Sequence, residues 1–114
     1  MTGEEFVDRI KIVVRDAAAL GMLSTLQHPP GRRPAAELLE QAAWYNSLTD
    51  DQKRILSSVL AGVADQAVFG FLCVLDGVRT IEDSSSKGHF ELRYVQDGVT
   101  VLNPPTGDPL HELW

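Results

Sequence analysis

The chain has 114 residues, of which 44% are hydrophobic and 23% are charged, and its formal net charge is −6. This length and composition suit a single folded domain and argue against global disorder. The excess of acidic side chains disfavours binding to nucleic acid, because such binding depends on neutralising phosphates, but it is compatible with a basic protein partner.

Two further features indicate the cellular compartment. Cys73 is the only cysteine, so no internal disulfide can form and we expect a reducing environment. Because Cys73 lies in an apolar run, its thiol is expected to be buried. The N-terminal sequence is acidic before it becomes apolar, unlike a signal peptide, and no apolar run approaches the roughly 18 residues that a membrane span needs. The sequence therefore predicts a cytoplasmic protein without a membrane-spanning segment.

The first two predicted helices lie near 3–20 and 34–46. Thr2 begins a capping box, Gly21 is expected to end the first helix, and Pro34 suits the first turn of the second. Apolar residues of the first helix recur at helical spacing and predict one buried stripe, formed by Phe6, Ile10, Val13, Val14, Ala17 and Leu20.

The third predicted helix covers residues 50–75 and is the central element of the expected fold. Thr49 begins its capping box, and one apolar stripe runs along it. From Ala67 onward the polar face disappears, so the last turns are expected to be buried on all sides. A strand over 68–75 that turns at Asp76-Gly77 is the alternative. The unbroken helical phase favours the helix.

A β-hairpin over 89–103 is the clearest strand signal. Asp97-Gly98 predicts a two-residue turn that pairs Tyr94 with Val101. Two strands alone are marginally stable, so residues 78–81 are expected to add a third strand.

The whole chain, 1–114, is thus predicted to be one α+β domain. Three helices pack on a small antiparallel sheet that ends in the C-terminal hairpin. Residues 104–114 contain three prolines and form an extended C-terminal tail, with apolar anchors at its end.

Candidate chemistry is sparse, and no motif supports catalysis or a cofactor. The three histidines lack metal-site spacing and a single cysteine cannot complete such a site, so no metal is expected. Arg32 and Arg33 precede a helix N-terminus and suit an anion, although a solvated basic loop explains them more simply. Asp65 precedes the all-apolar turns, and with Tyr94 and His89 it defines a candidate pocket between the third helix and the sheet.

Aromatic residues give the best functional signal. Trp44, Tyr45 and Trp114 combine apolar rings with polar groups, as side chains at protein interfaces often do. The tail that ends in Trp114 is expected to dock either on its own domain or on a neighbouring copy.

The segment FGFLCVLDGV, followed by FELRY and LHELW, is similar to segments of small bacterial proteins to which no function is attached. The resemblance covers about the last two-thirds of the chain and implies a helical front half and a terminal hairpin. In size and acidity the chain also resembles immunity proteins that block secreted bacterial toxins.

Three functions follow as hypotheses. The first is a non-catalytic interaction module that forms a homodimer through the aromatic residues. The second is an immunity-type protein that binds a basic toxin, in which case salt would weaken the complex. The third is a small-molecule binder or enzyme that uses the candidate pocket.

Overall fold

A computed structural model describes all residues from 1 to 114. Three helices and a two-stranded antiparallel sheet confirm the predicted α+β class. The first helix, α1, is continuous and consists of α-helical Gly3–Ile10, π-helical Lys11–Asp16 and α-helical Ala17–Gln27. The other elements follow in chain order: α2 (Ala36–Asn46), α3 (Asp50–Leu75), β1 (Arg93–Val95), β2 (Val99–Val101) and a 3-10 turn (Leu110–Glu112).

The first helix begins where the sequence predicts and ends later. The Thr2 hydroxyl accepts the Glu5 backbone N–H, and the Glu5 carboxylate accepts the Thr2 N–H, which completes the capping box. The predicted end at Gly21 is wrong, because the helix continues to Gln27. A glycine within a helix costs about 1 kcal/mol relative to alanine. The following turns, with Leu26 buried, pack against α2 and α3 and offset that cost.

The third helix confirms one prediction and corrects another. Residues 68–75 are helical, so the strand alternative is wrong, and Gly77 has the left-handed φ of +75° expected after the helix end. The expectation that the last turns are buried on all sides is also wrong. Leu72 is fully buried, whereas its neighbour Phe71 is 61% exposed.

The hairpin has a three-residue loop instead of the predicted two-residue turn. Val95 pairs with Val99, so the register is shifted by one residue from the predicted pairing of Tyr94 with Val101. Asp97, with a φ of +52°, takes the left-handed conformation that accommodates the additional loop residue.

The predicted third strand is absent, and the sheet contains two strands. The backbone N–H groups of Val78 and Arg79 both donate to the Cys73 carbonyl oxygen. These donors therefore close the end of α3 instead of pairing with a neighbouring strand.

The core is small and lies where α1, α3 and the C-terminal tail meet. Three large side chains are fully buried there, from Val7, Leu72 and Leu110. The chain is elongated, with extents of 51 × 37 × 29 Å. Its radius of gyration is 18.5 Å, against about 13 Å for a compact domain of this length. Much of the apolar helix surface is therefore left uncovered by the chain itself.

Candidate interaction surface

The C-terminal tail covers one side of α3 through a cluster around Trp114. The Trp114 indole N–H and Arg15 Nη1 both donate to Asp65 Oδ1, each at 3.2 Å. The Arg15 guanidinium lies 5.3 Å from the indole ring centroid, and Lys11 Nζ lies 5.8 Å from it. Cation–π attraction and hydrogen bonding together fix the tail against α1 and α3.

The charge of Arg15 is stabilised by its two carboxylate partners. Its hydrogen bond to Asp16 is the main reason that the pKa of Arg15 is raised above its ordinary value. Partial burial acts in the opposite direction, and Asp65 adds to the rise. The guanidinium therefore remains a cation that binds the tail cluster.

A second contact anchors the tail at the end of α3. Asp76 Oδ2 accepts the His111 backbone N–H and lies against His111 Nδ1, both at 2.8 Å. The Asp76 side chain is only 4% exposed, and the His111 ring meets Phe69 edge-on. Two hydrogen bonds from one residue to a buried carboxylate indicate a structural role for this pair.

The three predicted interface aromatics have different environments. Tyr45 is buried in its own chain, and Lys53 Nζ lies 5.1 Å from its ring centroid. Trp114 is held by the tail cluster, so the tail docks on its own domain. Trp44 is 53% exposed on α2 and remains available to a partner.

The residues of the candidate pocket do not converge. Asp65 belongs to the tail cluster, and the Tyr94 hydroxyl donates to Gln96 Oε1 within the hairpin. His89 lines an open cleft of about 450 Å³ beside the end of α3, and neither Asp65 nor Tyr94 reaches that cleft.

The other candidate sites are exposed or dispersed. Arg32 and Arg33 lie on the surface of the loop that precedes α2. No group of three His, Cys, Asp or Glu side chains lies together where it could hold a metal ion. Cys73 is buried and free.

A different side of the α1–α3 pair is apolar and open to solvent. Val13 is 66% exposed, Val63 62% and Phe71 61%. We call this surface the open face, and it consists of uncharged residues at helical spacing: Phe6, Ile10, Val13, Val14, Ala17 and Leu20 of α1, with Ile55, Val59, Val63, Ala67 and Phe71 of α3.

The two helices of the open face meet in an apolar groove of about 310 Å³. Every lining residue is hydrophobic: Phe6, Ile10, Val14, Ala67, Val68, Phe71, Leu72 and Leu75. Small-molecule sites add a few polar groups that orient the ligand, and this groove has none. Its chemistry is therefore limited to the burial of apolar surface.

The sequence contains the signal for the open face, but its helical periodicity predicts a stripe in the core. The predicted buried stripe of α1 is the α1 half of this face. Phe6 and Ile10 are half-buried, with Phe6 against the core, whereas Val13 and Leu20 are both 66% exposed, so the assignment is wrong for the later part of the stripe. An amphipathic pattern indicates that a stripe is covered and does not say which chain covers it.

The composition of α3 also meets the criteria for a membrane-spanning helix. It has 26 residues and an 18-residue window with a mean hydropathy of 1.8. This is weak evidence, because the core helix of a globular protein passes the same test.

Comparison of the chain with protein-family models, with curated proteins and with solved structures gives no match.

Proposed function

We propose that the protein is a non-catalytic interaction module that acts as a homodimer, in which two copies bury their open faces against each other. The observation that carries this proposal is the exposure of a continuous apolar face on helices whose sequence pattern is that of buried helices. Exposed apolar patches larger than a few hundred Å² mark contacts with proteins or membranes.

The large solvent-accessible surface area of the chain supports a partner that covers part of it. The chain exposes 8201 Å², whereas a compact monomer of 12.5 kDa exposes about 6,200 Å². Removing an excess of about 2,000 Å² from each of two chains would bury about 4,000 Å² in total. That area lies within the range of about 2,000–5,000 Å² found for obligate homodimers.

A permanent partner fits this chain better than an occasional one. Helices in proteins depend on the packing of their apolar faces, and the fully buried core of a single chain is limited to Val7, Leu72 and Leu110. The missing cover must therefore be present whenever the chain is folded. A second copy meets that requirement, and symmetric contacts between identical patches are the commonest arrangement in oligomers.

The open side of α3 is suited to packing against itself. Its apolar residues follow one another at intervals of four and form a single ridge, made of Ile55, Val59, Val63, Ala67 and Phe71. Ridges with this spacing on two helices interdigitate at about −50°, the commonest packing angle between helices in globular proteins. Two copies of α3 can thus provide ridge and groove for each other.

A lipid bilayer would also cover apolar surface, but an ion pair on the tail-covered side of α3 disfavours insertion of this helix into a membrane. Asp65 lies within the apolar part of α3 and forms an ion pair with Arg15, whose side chain is 28% exposed. Charged groups in the hydrocarbon layer cost several kcal/mol unless they are enclosed by protein.

The test is the mass in solution, by light scattering after size exclusion, of the wild type and two lysine variants. Val63→Lys places a charge in the open face, and Leu39→Lys is the matched control, because Leu39 is 51% exposed on α2 outside that face. We expect twice the chain mass for the wild type and for Leu39→Lys. Val63→Lys should give the single-chain mass or lose helical circular dichroism.

A wild-type protein that stays a folded monomer at every concentration would contradict the proposal. Equal dimer formation by Val63→Lys and the wild type would show that the dimer uses another surface.

A further inference from the structure

A long segment after α3 contacts the body of the chain mainly at its two ends, where the Arg79 side chain lies against Gly70 of α3 and the Phe90 carbonyl oxygen accepts the Asn103 side-chain N–H. We call residues 78–91 the arm. From Thr80 to Glu91 the arm makes no backbone-to-backbone hydrogen bond. Its large apolar side chains are nevertheless exposed: Val78 by 61%, Ile81 by 64% and Phe90 by 49%.

The arm does not fold down onto the end of its own helix. Ile81 and Phe90 lie across an open cleft of about 450 Å³ from Leu75. Solvated loops usually carry polar side chains, and a segment that exposes several large apolar ones marks a contact surface. The Ile81 and Phe90 side chains are therefore free to contact a surface outside their own chain.

We infer that in the dimer each arm crosses to the other copy and places Ile81 and Phe90 in the apolar groove between α1 and α3 of that copy. This inference rests on the proposed homodimer and specifies what fills the groove. The arm thereby becomes the second component of the interface, beside the helical ridges.

Three observations support this occupant. The groove is wholly apolar, which matches the exposed apolar side chains of Ile81 and Phe90. The arm is anchored at both ends, by α3 and by β1, and its length allows it to reach about 20 Å from the body. That reach is about two helix diameters, enough to cross onto a copy packed against the neighbouring open face.

Disulfide trapping between two differently tagged copies tests the inference. Both copies carry Cys73→Ala, one also carries Ile81→Cys in the arm, and the other carries Val14→Cys in the groove. Each chain then has a single cysteine, so a disulfide between them can only be intermolecular. The control pair replaces Val14→Cys by Leu39→Cys, which lies outside the groove.

We expect a mixed disulfide from the arm and groove copies under mild oxidation and little from the control pair. We also expect the double variant Ile81→Ser with Phe90→Ser to dimerise about tenfold or more weakly with unchanged helical content, because both side chains are exposed within a single chain.

The outcomes separate the two proposals. If the wild type is a dimer but the arm and groove copies form no more mixed disulfide than the control pair, the arm inference is overturned and the homodimer stays in place. A folded wild-type monomer would overturn both.

Discussion

Leu72 and Phe71 are neighbours in α3, yet they lie in opposite environments. Leu72 also lines the groove, but it is fully buried in the core with Leu110 of the C-terminal tail. Phe71 points into the groove of the open face and is 61% exposed. The comparison teaches that a helix can be apolar on every side because two different segments cover it. One is the tail of the same chain, and the other is proposed to come from a second copy.

A single substitution on the side of α3 that the C-terminal tail covers should cause the largest loss of stability. Leu72→Ala removes a fully buried side chain, and such changes cost about 2–5 kcal/mol of stability. Unfolding by urea, followed by circular dichroism, measures this loss. A cost below about 1 kcal/mol would show that the tail does not form a real core with α3.

A substitution on the open face should have a smaller effect. It should weaken the association of two copies and leave the single chain almost unchanged. Phe71→Ala leaves the single chain nearly as it is, because the ring is mostly exposed there. In the dimer the ring would be buried, and its loss should weaken association by about 1.5–3 kcal/mol per site. Sedimentation equilibrium measures the change. Unaltered association would remove Phe71 from the interface.

The anchor between Asp76 and His111 should have the smallest effect of the three. Asp76→Asn keeps the shape but weakens two hydrogen bonds to His111, which should cost about 1–2 kcal/mol. Asp108→Asn is the matched control, because that side chain is exposed in the same tail. Equal melting temperatures for the two variants would show that the anchor contributes nothing.

The sequence predicts the local structure of this chain well, because short-range chemistry determines it. Thr2 and Thr49 cap their helices as their spacing requires, and Gly77 adopts the conformation that ends α3. Helical phase over 68–75 correctly separates helix from strand. Each of these features depends on residues within a few positions of one another.

The errors concern contacts that depend on more distant groups. The hairpin register shifts because Asp97 accepts a left-handed conformation, which allows a third loop residue. Residues 78–81 do not form a strand, because the Cys73 carbonyl oxygen accepts the backbone N–H groups of Val78 and Arg79. The open face is predicted as core because Val13 and Phe71 have the pattern of core residues, and periodicity alone does not distinguish the core of a chain from a surface that another molecule covers.

The most direct test of whether a second copy covers the open face is the unfolding midpoint of the wild-type protein at two chain concentrations. If the folded state is a dimer, a 100-fold rise in concentration stabilises it by about 2.7 kcal/mol and raises the midpoint of urea or thermal unfolding. We predict that rise. A midpoint that stays the same at both concentrations, with cooperative unfolding, would contradict the account, because it would mean that a single chain is stable with its open face in water.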